Sequence, residues 1–458
     1  MKKKHGDKGK SSLKRIKTGR WERQWSITKA GITAGTQASA RMLGAAFLPA
    51  DMRYKQHKKI LSEQSLYLAN ELGKLKGSVV KVGQIMALYG EHILPEEVTD
   101  AFRTLEEQTH ALDWSAIEPL LKAELGNAFD DFTIDRDPLG AASLAQVHKA
   151  VHKPSGDIVC LKVQYPGVAE SIDSDLGSIV SLLKLTRMIS VNDQFEEWLD
   201  EVRKLMNFEV DYFREAEMTS HFAALLSDDN RFVVPDVYTE YSTSRLLVSS
   251  FESGFPVNDS RVMLLPQIER NQLGQAFLEL FIHELFEWGD MQTDPNFGNY
   301  RIQQRPDGSH AIVLLDFGAV LHYEEAFLKP VRSMIIGACH NDYPIIRQAA
   351  IDFGMMKPEY PEEVHKDFSG LCKLLVEPFT YHHSDVPENA VNEKGEYCFI
   401  SSDLPLRAAK YAAKSALSKY FAIPPREFAF LSRKLLGVYS FISALGAEFD
   451  PQPILDKY

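Results

Sequence analysis

Cysteine is scarce in this chain of 458 residues, with four copies at Cys160, Cys339, Cys372 and Cys398. They are widely spaced, and no two of them form a CxxC pair. Disulfide frameworks and structural zinc sites both depend on closely matched cysteine spacings. The sequence therefore argues against both kinds of site, and a reducing compartment fits it best.

Long apolar stretches are also missing, since nowhere do about 18 or more apolar residues follow one another. A helix that spans a bilayer needs roughly 20 such residues, so we expect no transmembrane helix. The segment 25–50 is too polar for a secretory signal, which needs a continuous apolar stretch after its basic start. We therefore expect a cytoplasmic protein and leave open a peripheral contact with a membrane surface.

Basic residues are in deficit overall, because 51 Lys and Arg stand against 63 Asp and Glu, for a net charge of −12. A general nucleic-acid binder needs the opposite balance, so we expect no nucleic-acid partner. Charge is unevenly distributed along the chain. Residues 1–23 contain ten basic and two acidic residues, for a net charge of +8, and the remainder contains 41 basic and 61 acidic residues, for a net charge of −20. Two alternatives stay open for this basic segment, a solvated disordered tail and attraction to an anionic membrane surface.

The order of apolar patterns predicts an α+β fold. A helical period runs from about residue 60 to 126, short strand-like segments follow from about 131 to 165, and the C-terminal part is mostly helical. A strand-rich piece followed by a helix-rich piece implies two lobes with a cleft between them. The predicted domains are a basic, flexible or membrane-proximal segment 1–55, a helical extension 56–128, a strand-rich lobe with inserted helices 129–255 and a helical lobe 256–458.

Two features of the strand-rich lobe suit phosphate binding. The loop 140–145, Gly-Ala-Ala-Ser-Leu-Ala, consists mostly of small residues, which let backbone amides approach a phosphate closely. Lys162 follows in the apolar strand 158–163, where a charge is costly to bury unless something needs it. The alternatives are a tight β-turn packed with alanine for the loop, and the solvent face of an edge strand for Lys162.

A helical stretch then carries Glu209, Asp211 and Glu215. Glu209 and Glu215 are six residues apart and do not share one helix face, so two carboxylates could serve two different lysines. In a kinase, a helix carboxylate of this kind aligns the strand lysine that holds the phosphates. The alternative is an ordinary charged, solvated face of the helix.

Two acidic turns complete the pattern. Asp294 is followed five residues later by Asn299, the spacing of a kinase catalytic loop in which Asp orients the attacking hydroxyl and Asn ligates magnesium. Asp316 ends an apolar strand and is followed by Phe-Gly, where a carboxylate can bind the metal that bridges the phosphates. The interval between Asn299 and Asp316 suits one short hairpin, which brings both oxygen ligands to the same point. Together these features predict a protein-kinase-like site for ATP and Mg²⁺.

At these residues the chain resembles the UbiB-type atypical kinases, a protein-kinase-like family tied to ubiquinone synthesis. Lys81-Val82-Gly83-Gln84 resembles the K-x-G-Q motif on the helix that precedes the kinase core. Residues 141–148 resemble the alanine-rich replacement for the glycine loop, and Glu209-Val210-Asp211 resembles the E-x-D motif. The resemblance implies a bilobal protein-kinase-like fold with a small β-rich N-lobe, a helical C-lobe and an N-terminal helical extension that carries K-x-G-Q.

The resemblance also assigns a role to each motif. It implies a nucleotide-binding set, a catalytic and metal-ligand set, and a set in the cleft that covers the site where a protein substrate would otherwise dock. The nucleotide-binding set is Ala141, Ala142, Ser143, Lys162 and its ion-pair partner Glu215. The catalytic and metal-ligand set is Asp294 and Lys162 with Asn299 and Asp316. The cleft set is Lys81 and Gln84, with Lys81 facing Glu209 and Asp211.

Three departures from the kinase pattern matter. Gln292 stands two residues before Asp294, where a kinase has a histidine scaffold. No A-P-E segment follows Asp316, so we expect no regulatory activation loop. Alanine is stiffer than glycine, so Ala141 and Ala142 should hold the nucleotide in a different pose and suppress ordinary kinase turnover.

We therefore expect an ATP-binding atypical kinase or ATPase that supports ubiquinone biosynthesis through Mg-dependent phosphoryl transfer or ATP hydrolysis. Quinone-lipid precursors and quinone-biosynthesis proteins are the partners that the resemblance implies. Two alternatives stay open: a true small-molecule or protein kinase, and a nucleotide-sensing pseudokinase that acts as a scaffold. The sequence predicts no oligomeric state.

Overall fold

The computed structural model describes residues 50–73, 78–89, 94–104, 111–185, 189, 193–383, 386–416, 420 and 426–458. The basic segment 1–23 lies outside these residues, as does most of the predicted segment 1–55. Across the described ranges, no helix combines the length and the apolar character needed to cross a bilayer.

The chain forms two compact units. The first comprises the described residues up to Glu217 together with Asp236–Phe251, and the second comprises Met218–Pro235 and Glu252–Tyr458. The predicted boundaries at residues 128 and 255 stay predictions.

The helices and strands are numbered here in chain order. Up to Leu225 they are α1 (Ala50–Gly73), α2 (Ser78–Tyr89), α3 (Glu96–Arg103), α4 (Trp114–Leu125), β1 (Phe132–Ile134), β2 (Gly140–Ala141), β3 (Ala145–His152), β4 (Ile158–Gln164), α5 (Val168–Leu185), α6 (Asp193–Glu209) and α7 (Tyr212–Leu225). Those that follow are β5 (Phe232–Val233), β6 (Leu246–Ser250), α8 (Gln267–His283), β7 (Asp290–Gln292), β8 (Tyr300–Gln304), β9 (His310–Leu314), β10 (Val320–His322), α9 (Glu325–Cys339), α10 (Tyr343–Asp352), α11 (Glu362–Leu375), α12 (Glu377–Thr380), β11 (Tyr397–Cys398), α13 (Leu404–Ala416), α14 (Arg426–Ala444), β12 (Glu448–Phe449) and α15 (Gln452–Leu455).

The first unit contains an antiparallel sheet in the order β1-β3-β4-β6, with β2 paired to β3. Strand β4 shows the alternation expected of a half-buried strand, because Val159, Leu161 and Val163 are buried and the residues between them are partly exposed. Its helices bury the apolar positions of the predicted extension, including Leu68, Leu72 and Val79. These three residues do not lie on one helix, since α1 ends at Gly73 and α2 begins at Ser78.

In its described residues, the second unit is mostly helical and contains three small sheets. Strands β8 and β9 form an antiparallel hairpin that β5 joins in parallel, β7 pairs with β10, and β11 pairs with β12. Strands β11 and β12 lie in the mostly helical C-terminal part, where the sequence indicated no strand. Each of these strands has two residues, which is too short to produce a recognisable alternation.

The core of the second unit is built around α8 and α14. Helix α8 is buried on several sides, and the rings of Phe277 on α8 and Phe441 on α14 stack with their centres 4.0 Å apart. Tyr300, at the start of β8, contacts the same Phe277 ring edge-on. This packing holds the β8–β9 hairpin against the two central helices.

Candidate nucleotide-binding site

Lys162 lies on a strand with a partner on each side. β4 pairs with β3 and with β6, and Lys162 stands opposite Val147 and Leu247. Its neighbours Leu161 and Val163 are buried, so Lys162 projects from the other face of the strand, where 23% of its side chain is exposed. The alternative of an edge strand is therefore wrong.

The ammonium group of Lys162 and the carboxylate of Glu215 form a close ion pair. Nζ lies 2.6 Å from Oε1 and 2.8 Å from Oε2, and the Glu215 side chain is only 3% exposed. Nζ also lies 5.3 Å from the centre of the Tyr212 ring. A carboxylate this deeply buried is strongly destabilising without a matching charge, so the pair fixes the position of the lysine.

Asp211 sets the start of the helix that carries Glu215. Its Oδ1 accepts a hydrogen bond of 3.1 Å from the backbone N–H of Arg214, in the first turn of α7. A carboxylate at this position satisfies an amide without a partner inside the helix and faces the positive end of the helix dipole. Asp211 of the E-x-D motif therefore positions Glu215 through the backbone.

Glu209 pairs with a different lysine. Its Oε1 lies 2.5 Å from Nζ of Lys81, which is on α2. Gln84 follows one turn later on the same helix, and Lys81 and Gln84 are both half-buried. Glu209 and Glu215 thus serve two lysines, as their spacing suggested.

The alanine-rich loop is a tight turn between β2 and β3. The backbone N–H of Ala142 donates to the carbonyl of Ala145 at 2.8 Å and closes the turn. Ala142 is exposed at the tip, while Ala141 and Ser143 are half-buried. The turn that we kept as an alternative is present, and contact between these three residues and a nucleotide stays a prediction.

Gln146 and His148 anchor this hairpin. Gln146 is fully buried, its Oε1 accepts from the N–H of Leu112 at 2.8 Å, and its Nε2 donates to the carbonyl of Leu112 at 3.2 Å. Nδ1 of His148 lies 2.8 Å from the carbonyl of Asp135, and its Nε2 lies 2.9 Å from Nε2 of Gln146. A neutral ring with its proton on Nδ1 satisfies both contacts. Burial lowers the pKa of His148, and the hydrogen bond to Asp135 only partly opposes this.

The second unit brings Asp294 and Asn299 together. Oδ2 of Asp294 accepts a hydrogen bond of 3.0 Å from Nδ2 of Asn299, and Oδ1 accepts one of 3.2 Å from Nη2 of Arg433. The turn between them is stabilised by the Asn296 side chain, which accepts from the N–H of Gly298 at 2.8 Å. The Asp294 carboxylate is thus held in one orientation from two sides while 30% of its side chain stays exposed.

The β8–β9 hairpin places Asp316 beside Asn299 in the backbone ladder. The N–H of Leu315 donates to the carbonyl of Asn299 at 2.9 Å, which extends the pairing beyond the two strands. Asp316 follows directly, and its Oδ1 accepts from the N–H of Gly318 at 3.0 Å. One short hairpin therefore joins the two predicted metal ligands.

This pair suits magnesium by its chemistry. Asn299 uses Nδ2 for its bonds to Asp294, so its Oδ1 takes no part in them. An amide oxygen and a carboxylate are ligands that Mg²⁺ accepts, with waters and phosphate oxygens completing its octahedron. Among the described residues, no group of three or more His, Cys, Asp or Glu side chains could hold a metal ion. A metal at Asn299 and Asp316 would therefore depend on oxygens from the nucleotide and from water.

Gln292 links the residues around the predicted catalytic loop. Its Nε2 donates to the carbonyl of Asp316 at 3.3 Å, and its backbone N–H donates to Oε1 of Glu284 at 3.2 Å. Glu284 in turn lies 2.9 Å from Nζ of Lys434, and these two side chains are 1% and 2% exposed. Burial raises the pKa of Glu284, and the Lys434 charge opposes this shift. A glutamine therefore provides support at the position where a histidine scaffold is missing.

Helix α14 supplies residues that the sequence did not point to. Arg433 contacts Asp294, Lys434 contacts Glu284, and Gly437 lies against Pro295. A Cβ at Gly437 would come within 2.1 Å of the Pro295 Cβ, so only glycine fits there without movement. The available signal was the adjacent Arg-Lys pair inside an otherwise apolar helical pattern.

The predicted site residues thus form separate groups within each unit. Lys162 with Glu215, and Lys81 with Glu209, belong to the first unit. Asp294, Asn299 and Asp316 belong to the second unit, around one turn and one hairpin. Asp294 contacts Asn299 through their side chains, and Asn299 pairs with Leu315 through the backbone.

Comparison with known proteins identifies a kinase-like family. The family model of the ABC1 atypical kinase-like domain matches residues 104–350, more than half of the chain. The Schizosaccharomyces pombe protein named atypical kinase COQ8, mitochondrial, is 27% identical over 446 residues, which cover 95% of this chain and 69% of that protein. Its namesake from Saccharomyces cerevisiae is 28% identical over 460 residues, which cover 98% and 86%.

A solved structure shares the fold. The Mycobacterium tuberculosis protein Rv3197, determined as a complex with erythromycin, superposes with a TM-score of 0.58 at 23% identity. The match covers 88% of this chain and 96% of that one. Together the matches confirm the predicted α+β, kinase-like fold and the resemblance to the UbiB-type atypical kinases.

Proposed function

This chain belongs to the ABC1 atypical kinase-like family, and on that premise we propose that it binds Mg-ATP and uses it for ATP hydrolysis or phosphoryl transfer in support of ubiquinone biosynthesis. The observation that carries the proposal is the buried ion pair between Lys162 and Glu215. A strand lysine aligned by a helix carboxylate is the arrangement with which kinases hold the phosphates of ATP.

In this proposal, each of the predicted nucleotide-binding and metal-ligand residues has its own task. Lys162 donates to the α- and β-phosphates while Glu215 keeps its ammonium group in place. The turn of Ala141, Ala142 and Ser143 lies against the phosphates, with its shape fixed by the hydrogen bond from the N–H of Ala142 to the carbonyl of Ala145. Asn299 and Asp316 are the residues that would hold Mg²⁺. When bound, the metal supplies positive charge that offsets the charge of the phosphates.

Asp294 is the residue that acts on the nucleophile. In hydrolysis, a water oxygen attacks the γ-phosphorus, the bond from that phosphorus to the bridging oxygen breaks, and ADP leaves with the electron pair. Asp294 orients the water and accepts its proton, so the products are ADP, phosphate and one proton. The hydrogen bonds from Asn299 and Arg433 keep the Asp294 carboxylate in position for this task.

The acceptor is more readily water or a small molecule than a protein. Lys81 and Gln84 belong to the K-x-G-Q motif, which in UbiB-type kinases lies over the site where a protein substrate would dock. The ion pair between Lys81 and Glu209 supports this assignment, because it joins the K-x-G-Q helix α2 to the first residue of the E-x-D motif at the end of α6. The alanine loop is expected to lower ordinary kinase turnover further.

The place in ubiquinone synthesis is supported by the relatives. The matched proteins of both yeasts carry the name COQ8 and are described as mitochondrial. We infer that quinone-lipid precursors and quinone-biosynthesis proteins are the partners of this chain, and that it works at the periphery of a membrane. Its location in the cytoplasm stays a prediction.

Purified full-length protein with ATP and Mg²⁺, in the presence and absence of anionic vesicles, provides the test. We expect Asp316→Asn to lower ATP hydrolysis by about 100-fold or more, because the amide removes the charge that holds the metal. Asp307→Asn is a matched control, since Asp307 lies in the exposed turn of the same hairpin and accepts hydrogen bonds from Ser309. Mg-dependent hydrolysis that survives Asp316→Asn would refute the assignment.

A second measurement separates the kinds of activity. ATP labelled on the γ-phosphate should release labelled phosphate if water is the acceptor, and should label an added quinone-like phenol if the chain is a small-molecule kinase. ATP binding without any turnover, even with vesicles, would favour the nucleotide-sensing scaffold instead.

A further inference from the structure

Tyr300 directly follows the predicted metal ligand Asn299, and its hydroxyl group is buried. The residue is 4% exposed, and within the described ranges no atom forms a hydrogen bond with the hydroxyl. A buried polar group without a partner destabilises the folded chain, because it has given up its hydrogen bonds to water. The presence of this hydroxyl therefore needs an explanation.

The ring of Tyr300 packs in an aromatic cluster that makes no use of the hydroxyl. It contacts Phe277 of α8 and Phe441 of α14 edge-on, with ring centres 5.1 and 5.3 Å apart. A phenylalanine at position 300 would make the same ring contacts without burying an unpaired donor. Packing alone therefore does not account for a tyrosine at this position.

One face of α14 runs along the turn from Asp294 to Tyr300. Residues four positions apart lie on the same side of a helix. Three residues of α14 with this spacing contact the turn: Arg433, Gly437 and Phe441. The first of them hydrogen-bonds Asp294, and the last packs against the ring of Tyr300. Asp294 and Tyr300 are thus the two ends of one turn that packs on a single helix.

The hydroxyl of Tyr300 stays a hydrogen-bond donor in this environment. Burial raises its pKa well above the ordinary value, and three negative charges raise it further, against the opposing charge of Arg433: those of Glu284, Asp294 and Asp316. The group therefore keeps its proton at neutral pH. Because it lies within the influence of three carboxylates, the natural partner for this donor is a carboxylate oxygen.

Asp294 is the carboxylate best placed to accept from this donor. Glu284 is 1% exposed and paired with a buried lysine, so it is fixed in the core. Asp316 is the residue that would hold the metal in the proposed function. Asp294 is 30% exposed and lies in the same turn as Tyr300. Its carboxylate accepts from two side chains, and a carboxylate can accept about four hydrogen bonds.

We propose that Tyr300 is a positioning residue whose hydroxyl donates to the Asp294 carboxylate when Mg-ATP binds. Asn299 connects the two residues, because it hydrogen-bonds Asp294, precedes Tyr300 and would hold the metal. A small shift of Asn299 towards the metal therefore moves Asp294 relative to the hydroxyl. The inference rests on the proposed function, since Mg-ATP supplies that shift. The hydroxyl lowers the stability of the chain alone and strengthens its binding of Mg-ATP.

Urea unfolding of the full-length chain without nucleotide is the first measurement. We expect Tyr300→Phe to raise the urea midpoint, because it removes an unpaired donor and keeps the ring contacts. Tyr439→Phe is the matched control: Tyr439 is 1% exposed and donates to the carbonyl of Leu375 at 2.7 Å, so its midpoint should fall. A lower midpoint for Tyr300→Phe would show that its hydroxyl already has a partner, such as a buried water, and would overturn the inference.

Calorimetric titration with Mg²⁺ and the non-hydrolysable ATP analogue AMP-PNP is the second measurement. We expect Tyr300→Phe to raise Kd at least about fivefold, because a hydrogen bond to a charged acceptor is lost. Tyr439→Phe should leave Kd within about twofold of the wild type, since its hydroxyl bonds a carbonyl outside the turn. An unchanged Kd for Tyr300→Phe would overturn the inference alone, whereas a wild type that binds no nucleotide would refute the proposed function itself.

A double-mutant cycle identifies the acceptor. In an Asp294→Ala background the carboxylate is gone, so adding Tyr300→Phe should change Kd by less than about twofold. A larger effect of Tyr300→Phe in that background would refute Asp294 as the partner of the hydroxyl.

Discussion

The charged side chains of Lys162 and Glu215 are buried to different extents, with 23% and 3% of each exposed. We therefore expect replacements of the two residues to change the free energy of unfolding by different amounts. Lys162→Met leaves the deeply buried carboxylate of Glu215 without its lysine, whereas Glu215→Gln leaves an ammonium group that water still reaches. We expect the free energy of unfolding to fall by about 3 kcal/mol for Lys162→Met and by about 1 kcal/mol for Glu215→Gln. Urea denaturation followed by circular dichroism measures both values. Equal losses would contradict the role of burial.

The buried side chain of His148 should make the free energy of unfolding depend on pH. Its pKa in the folded chain lies below the ordinary 6.5, so the unfolded chain takes up a proton first as the pH falls. Its contribution to stability is therefore complete above about pH 6.5 and decreases below that pH. Urea midpoints measured between pH 7.5 and 5.5 should fall more steeply for the wild type than for His148→Gln. Parallel curves for the two proteins would contradict the assignment.

Single residues also show where sequence reasoning succeeds. The sequence singled out Asp294 and Asn299 by their spacing, and their side chains are hydrogen-bonded because only one turn separates the two residues. Arg433 contacts the same carboxylate from far along the chain, and no local spacing encodes such a contact. The pairing of Gln292 with Asp316 was likewise not predicted, since the sequence pattern suggested only that a histidine was missing.

Helix α14 packs closely against the predicted catalytic loop at Gly437. Gly437→Ala would place a methyl group within 2.1 Å of Pro295, whose ring cannot rotate away, so the helix or the loop must move. We expect a loss of about 1–3 kcal/mol in the free energy of unfolding and a lower kcat. Chemical denaturation and steady-state ATP hydrolysis measure the two effects.

Gly177→Ala is the matched control for this substitution. Gly177 lies within α5, and a Cβ there meets nothing within 4 Å. Alanine is the better helix former, so this variant should gain up to about 1 kcal/mol. If both alanine variants gained stability, the close contact at Pro295 would be refuted.

Elements differ in how well their sequence patterns reveal them. The alternation in β4 is strong, and the strand was predicted at nearly its observed bounds. Strands β11 and β12 have two residues each, so they depend on a partner distant in sequence rather than on a local pattern. The apolar positions from Leu61 to Val79 repeat at helical spacing, yet α1 ends at Gly73, which the spacing alone did not indicate.

At the scale of the whole molecule, the charge distribution predicts membrane behaviour. Residues 1–23 carry +8 and the remainder −20, so this segment should be attracted to anionic lipid. Replacing its ten Lys and Arg by Gln in the full-length chain should lower co-sedimentation with anionic vesicles severalfold. Raising the salt concentration should weaken wild-type binding as well, because the Debye length shortens. Unchanged sedimentation of the variant would contradict an electrostatic contact.

The kinase-like fold was predictable because its motifs occur in a fixed order along the chain, and the family match confirms it. An apolar cavity lined by residues such as Phe281, Val331, Cys372 and Leu435 was not predictable, since these residues come from distant parts of the sequence. An apolar residue gives the same sequence pattern whether its side chain faces a filled core or a cavity.

Glu284 and Lys434 are almost completely buried together, and this has an evolutionary consequence. A neutral substitution at one position alone leaves the charge of the other residue buried without its partner. Substitution of both residues by neutral side chains of similar volume removes both charges. Positions 284 and 434 should therefore covary among relatives, with an acid at the first found alongside a base at the second.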